Sequence, residues 1–210
     1  MQVGLNIFII QPCLSYLDVA LGLLEFNFSI EGFPTFLEVI VQITFFIIVE
    51  DTVFFWSHRT LHHPKIYRHI HKQHHEFKTT VAIAAEYAHP LEYVVGNILP
   101  TAIGPKILGS RCHIFTFWMW LLMRIGETVD GHCGYDFSWS PYRLLPFSGG
   151  ANYHDYHHSH NTGNFASFFT IWDSINGSNS HYFRFLSRKE REDDLKEAKQ
   201  QLDIEYKKVN

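Results

Sequence analysis

Positive charge is missing from the opening of this chain: residues 1–57 contain no lysine and no arginine. That stretch therefore lacks the basic leader of a secretory signal, and no small-residue cleavage site follows it, so a first membrane helix over roughly residues 5–25 is the expectation. Cysteine is scarce, with Cys13, Cys112 and Cys133 far apart. They form no CxxC pair and no disulfide framework, which fits a reducing compartment on the chemical side. Glycine-rich dinucleotide or flavin motifs are absent, and no HExxH motif marks a zinc hydrolase. With 17 Lys+Arg against 21 Asp+Glu the net charge is −4. No nucleic-acid partner is implied.

Aromatic residues are abundant: 19 Phe, 10 Tyr and 5 Trp suit a membrane or a lipid-shaped pocket. A second apolar run from Phe36 to Trp56 carries Glu38, Gln42, Glu50 and Asp51. Ionisable groups inside such a run are functional suspects; Glu50 and Asp51 either orient an imidazole downstream or mark an interfacial helix end. The first basic residues, Arg59, Lys65, Arg68, Lys72 and Lys78, then arrive together, which places that face in the cytosol by the positive-inside rule. Residues 81–108 are apolar but interrupted by Pro90, Pro100 and Pro105, as in a broken or re-entrant helix, and Phe115–Met123 forms the core of a further span. The expected fold is all-α: an integral membrane protein with about four crossings in two hairpins and a cytosolic helical cap. Residues 1–186 form the membrane domain and 187–210 a charged cytosolic tail, whose Lys207-Lys208-Val-Asn210 ending resembles a di-lysine endoplasmic-reticulum retrieval signal.

Fifteen histidines stand out, and three clusters share helical spacing. His58 and His62 lie four apart, so on a helix both rings face one side. His71, His74 and His75 follow at i, i+3 and i+4, and His154, His157 and His158 repeat that spacing. Imidazole is a favoured ligand for iron, zinc, copper and nickel. Eight facing imidazoles exceed what one four-coordinate zinc needs, which points to a two-metal centre. His132, on a glycine-flanked segment, is the ninth candidate. His63 points off the His58–His62 line beside Pro64 and reads as an outer neighbour of the site. His89, ahead of Pro90, is either a further ligand or a structural hydrogen bonder. Glu127 and Asp130 are ligands, acceptors behind an imidazole, or a solvated helix end. Asp155 is placed to accept a hydrogen bond from a ligating ring, with an exposed surface position as the alternative. His69, His113, His160 and His181 fall outside the repeated spacing and read as ordinary structural or surface residues.

With these clusters in view, the chain resembles the fatty acid hydroxylase/sterol desaturase superfamily, whose histidine boxes match His58-x3-His62, His71-x2-His74-His75 and His154-x2-His157-His158. Within it the chain is most similar to the C-4 methylsterol monooxygenases, through His89-Pro-Leu-Glu92, Glu127-Thr-Val-Asp130, Gly134-Tyr-Asp136, Leu145-Pro-Phe147, Gly163-Asn-Phe-Ala-Ser167 and Trp172-Asp173. Tyr153 stands where many relatives extend the third box with another His, and the segment before the first box is short, so an N-terminal portion is expected to be absent. The resemblance implies two non-haem irons held by His58, His62, His71, His74, His75, His132, His154, His157 and His158. It further implies dioxygen as co-substrate, electrons from NADH through a reductase and cytochrome b5, and stepwise oxidation of a sterol C-4 methyl group at the endoplasmic-reticulum membrane. Alternatives inside the superfamily are fatty-acyl or sphingoid hydroxylation and sterol C-5 desaturation. Outside it stand a zinc-dependent membrane hydrolase and a non-catalytic metal or haem binder.

Overall fold

The computed structural model describes residues 1–23 and 25–209, with 205–209 as backbone only. Every regular element among them is helical, and the one strand-like contact is an isolated bridge between Asn27 and His113. Helix α1, Gln2–Ala20, and helix α2, Phe36–Leu61, are long and apolar enough to cross a membrane. Helix α3 occupies residues 90–108 without interruption, passing through Pro90–Glu92, a π-helical turn over Tyr93–Ile98, and Leu99–Leu108. The expected break at the prolines does not occur. Pro90 sits in the first turn, where an N–H is not needed, and the wide π turn precedes Pro100. Helix α4, Ile114–His132, has spanning length but carries Arg124, Glu127 and Asp130. Helices α5 (Ala151–His160), α6 (Ile171–Asn176) and α7 (Ser180–Val209) complete the order.

The polar residues of the second apolar run prove to be structural. Glu38 closes a capping box at the start of α2: Thr35 Oγ1 accepts its N–H (3.3 Å) and its carboxylate accepts that of Thr35 (2.7 Å). Gln42 donates to the Arg111 carbonyl (3.1 Å). Glu50 pairs with Arg124 Nε (2.7 Å), and Asp51 accepts the Phe169 N–H (2.9 Å). Neither carboxylate reaches an imidazole, and both are buried rather than at an interfacial helix end. Eight residues of helix put Glu50 about 12 Å along the axis from His58, beyond side-chain reach.

Two ends of the molecule differ in kind. At one end the 26–34 segment meets the turn after α3: Asn27 N–H bonds to the Cys112 carbonyl (2.9 Å) and Ile114 N–H to the Asn27 carbonyl (3.0 Å). Lys106 ties α3 to Asp18 of α1 (2.6 Å). In the middle, α2 and α3 approach so closely at Gly104 that an added Cβ would sit 2.8 Å from the Phe46 ring, and Phe46 packs with Trp120 and Phe168 in the buried core. At the other end, the last turns of α2 and α4 meet α5 and two 3-10 segments, His71–Glu76 and Ala82–Glu86. Helix α6 is held to α2 by a hydrogen bond from Trp172 Nε1 to Thr52 (3.1 Å) and by stacking of Trp172 on Phe55. Leu195 and Leu202 of α7 are exposed. The retrieval-like Lys207-Lys208-Val-Asn210 ending lies outside the described residues and side chains.

Candidate metal centre

The nine expected histidines come together in two groups. His58, His62, His71, His75 and His157 form one, and His74, His132, His154 and His158 the other; within each, the donor nitrogens lie within 4.8 Å of one another. The two HxxHH boxes each divide in the same spirit. In the second box His71 and His75 go to the first group and His74 to the second, although this box is a 3-10 segment rather than the expected α-helix. In the third, His154 and His158 go to the second group and His157 to the first. His58 and His62 face the same group, as their spacing on α2 predicts.

Within each group the Nε2 atoms point at one another. His62 Nε2 lies 2.9 Å from that of His71 and 3.1 Å from that of His157, and His75 lies 3.1 Å from His71. In the second group His154 lies 2.9 Å from His132 and 3.1 Å from His158. In several of these rings the opposite nitrogen is committed elsewhere. Nδ1 faces a backbone carbonyl in His58 (Phe165, 2.9 Å), His132 (Thr128, 2.9 Å), His157 (Gly163, 2.6 Å) and His158 (Phe77, 3.2 Å). A carbonyl can only accept, so in these rings Nδ1 carries the proton and Nε2 presents a lone pair. Lone pairs converging at such distances repel unless a cation lies between them. At a metal–nitrogen bond of about 2.1 Å, ligands at right angles stand about 3.0 Å apart and tetrahedral ones about 3.4 Å. The shortest spacings fall near the former, and the remaining donors of each group stand up to 4.8 Å apart, so both groups have room for a metal ion between their rings.

Electrostatics point the same way. Burial pushes the His74 imidazole down to about 4 and His75 down to about 2. Burial first, and the neighbouring imidazoles second, hold His62, His71, His154, His157 and His158 below the usual histidine range. Near neutral pH these rings are uncharged, which is the ligating form.

One partner was missed in the sequence. Glu92 accepts from His71 Nδ1 at 2.7 Å, buried, and its second oxygen has no protein partner. It closes the His89-Pro-Leu-Glu92 stretch, where attention fell on His89; a carboxylate in an apolar run was the available signal. His89 is in neither group. Its Nδ1 accepts the Leu91 N–H (3.2 Å) and caps α3, and His63 likewise caps the turn Pro64–Tyr67 through Lys65 N–H (3.3 Å). Asp155 does not hold an imidazole: on α5 it points away from its neighbours and accepts from Thr80 Oγ1 (3.2 Å). Glu127 pairs with Arg124 (2.7 Å), and Asp130 lines the cavity beside the histidines without joining either group.

The loop between α5 and α6 sets the rings from behind. Gly163 has φ of +61°, and a Cβ there would strike the Ser178 carbonyl; only glycine lets its own carbonyl reach His157. Buried Asp173 accepts the N–H of Phe165 (3.0 Å) and of Ala166 (2.9 Å), and the Tyr153 hydroxyl (2.9 Å). Tyr153 thus braces this loop. Against the histidines lies a cavity of about 70 Å³, whose walls include Phe54, Leu61, Asn97, Arg124, Tyr142 and Leu145.

The fatty acid hydroxylase family profile matches residues 43–178. Methylsterol monooxygenase 2-2 of Arabidopsis thaliana is 42% identical over 163 residues, covering 76% of this chain and 60% of that protein. Methylsterol monooxygenase 2-1 of the same plant is 39% identical over 75% of this chain and 62% of its own length. The very-long-chain aldehyde decarbonylase GL1-8 of Oryza sativa subsp. indica is 40% identical, over 76% of this chain and 59% of its own. The chain therefore spans about 60% of the length of these relatives. No solved structure matches.

Proposed function

The chain belongs to the fatty acid hydroxylase family of oxidoreductase-type enzymes, and from that premise we propose that it is a membrane-bound non-haem di-iron monooxygenase oxidising a C-4 methyl group of a sterol. The observation that carries this reading is the convergence of nine histidines into two groups with ring nitrogens turned toward one another. His58, His62, His71, His75 and His157 would hold one metal, and His74, His132, His154 and His158 the other. Iron there supplies reductive activation of dioxygen against an unactivated C–H bond. The rest falls to the chain. Backbone carbonyls fix the tautomers of four rings, and Glu92 orients the His71 ring through Nδ1. Phe54, Leu61 and Leu145 give the cavity an apolar wall that excludes water from the reacting carbon.

Electrons arrive from an external donor, read as cytochrome b5 with its NADH reductase. Arg59, Lys65, Arg68, Lys72 and Lys78 give an acidic donor a complementary face. Four crossings, an endoplasmic-reticulum membrane, and a site and carboxyl terminus in the cytosol complete the proposal. Sterol oxidation rests on the methylsterol monooxygenase relatives; the decarbonylase name on a relative of similar identity supports a second reading, action on a very-long-chain aldehyde.

Elemental analysis of detergent-purified protein tests the metal, with about two irons per chain expected and fewer in His157→Ala. Incubation of the iron-loaded protein with dioxygen, reductant and either a 4-methylsterol or a long-chain aldehyde separates the two substrates. Turnover that persists without dioxygen or reductant would overturn both readings in favour of hydrolysis.

A further inference from the structure

The segment between α4 and α5 combines two properties that are rarely found together. Its inner side forms cavity wall: Tyr142, Leu145 and Ser148–Gly150 face the space beside the histidines. Its outer side is apolar and bare, with Leu144 85% and Phe147 68% exposed. The segment is pinned at both ends. Tyr142 donates its hydroxyl to the Met123 carbonyl (3.0 Å), its ring lying over Gly126, where a Cβ would clash with the hydroxyl. The Phe147 carbonyl accepts both the N–H and the hydroxyl of Thr170, each at 2.9 Å. Between the pins Phe147 adopts φ of +63°, a conformation bulky residues avoid. That backbone keeps its ring turned outward rather than folded into the core.

The surroundings continue the apolar surface. Thr170 leads directly into α6, whose Ile171 and Ile175 are exposed. Trp172 of α6 packs on Trp56 and bonds Thr52, so the patch lies alongside the last turns of α2. Trp56 is 20 residues beyond the start of α2, about 30 Å of helix and the thickness of a hydrocarbon core. Its level is therefore that of a membrane–water boundary, and the Arg59 guanidinium lies over the rings of Trp56 and Phe55 there, as at an interface. From Phe137 to Tyr153 the sequence has a single charge, Arg143, which is paired with Asp136 (2.6 Å). Such a surface enters the headgroup region at little electrostatic cost. An uncovered apolar patch continuous with a membrane-grade helix fits a lipid surface.

We propose that residues 142–150 form a membrane-inserted lip, dipping Leu144 and Phe147 into the bilayer, over which an apolar molecule passes from the lipid into the cavity. The passage, though not the insertion, rests on the lipid-oxidising reading of the site. The cavity, about 70 Å³, is small beside the roughly 300 Å³ of an ordinary ligand pocket. It takes the reacting end of a large apolar molecule, and the lip is where the remainder leaves the protein.

The full chain, with Cys13 and Cys133 replaced by serine, is labelled with an environment-sensitive fluorophore at Leu144→Cys, Phe147→Cys or, as an exposed control, Lys199→Cys. Each is placed in phosphatidylcholine vesicles with or without a 5-doxyl acyl chain. Loss of about half the emission at 144 and 147, with none at 199, is expected for an interfacial depth. Emission at 144 and 147 that matches the control overturns insertion, whatever the enzyme oxidises. For passage, a diazirine-bearing acyl chain is dissolved in the vesicles and adducts on residues 145–150 are counted by mass spectrometry. The double variant Leu144→Asp/Phe147→Asp is expected to lower them about tenfold at unchanged metal content. Equal labelling in both proteins overturns the passage and leaves insertion to the fluorescence.

Discussion

The two imidazole groups are built from the same boxes yet differ in two respects. One gathers five rings, the other four. The five-ring group also has a buried carboxylate, Glu92, behind His71. In the four-ring group the fixed Nδ1 atoms of His132 and His158 face backbone carbonyls alone. More ligands and a carboxyl group that orients one of them favour a tightly held metal; fewer ligands leave room for an exogenous one. The difference teaches that repeated motifs in one chain need not make equivalent sites, because their neighbours are not repeated.

The largest test of that contrast is a pair of ligand deletions. His158→Ala leaves three imidazoles in its group and is expected to empty it, with metal affinity there falling at least about 100-fold, the upper range for losing a mere outer partner. His157→Ala leaves four, including His71 with Glu92, and is expected to lose less. Equal losses measured by competitive metal titration would erase the contrast.

Acid provides the next test. Burial holds His74 at about 4 against an ordinary 6.5, so the unfolded chain binds the extra proton first. Metal-free protein should therefore keep its stability above pH 6.5 and lose it as pH falls toward 4, by about 3 kcal/mol for this residue alone. Thermal melting across that window checks it. A flat profile would mean that the metal-free groups open to water.

A finer cut comes from Glu92→Gln, which keeps the shape but replaces the carboxyl group that holds the His71 ring. Metal affinity should fall about 10- to 100-fold in the five-ring group and stay unchanged in the other. The smallest effects belong to His63→Ala and His89→Ala. Each removes a helix cap, so about 1 kcal/mol of stability should go while metal content stays at the wild-type level. Metal loss in either variant would mean that the groups extend beyond nine rings.

The contrast also separates what the sequence reveals from what it conceals. Ligand spacing is legible because helical geometry is local: His58 with His62, and His154 with His158, align through a turn of backbone alone. The division of each HxxHH box between two groups is not, since it depends on where α2, α4 and α5 meet. Glu92 is concealed for a similar reason, as 21 residues separate it from His71. Asp155 misleads by proximity: a residue adjacent to a ligand in a helix points elsewhere, and here it serves Thr80. Two of the four expected crossings are long and apolar enough to span a membrane. Around Arg124 the helix is polar because Glu50 and Glu127 neutralise it inside the fold, a compensation that hydropathy along a sequence cannot register.

The shared ownership of the boxes has a consequence for assembly. His71 and His75 flank the same short segment as His74, and His154 and His158 the same helix as His157. Whichever ion arrives first freezes that segment and that helix, and so prepays the ordering entropy of its neighbour's ligands. An ion in one group would thus leave part of its neighbour's frame already in place, while each group keeps its own set of donor rings.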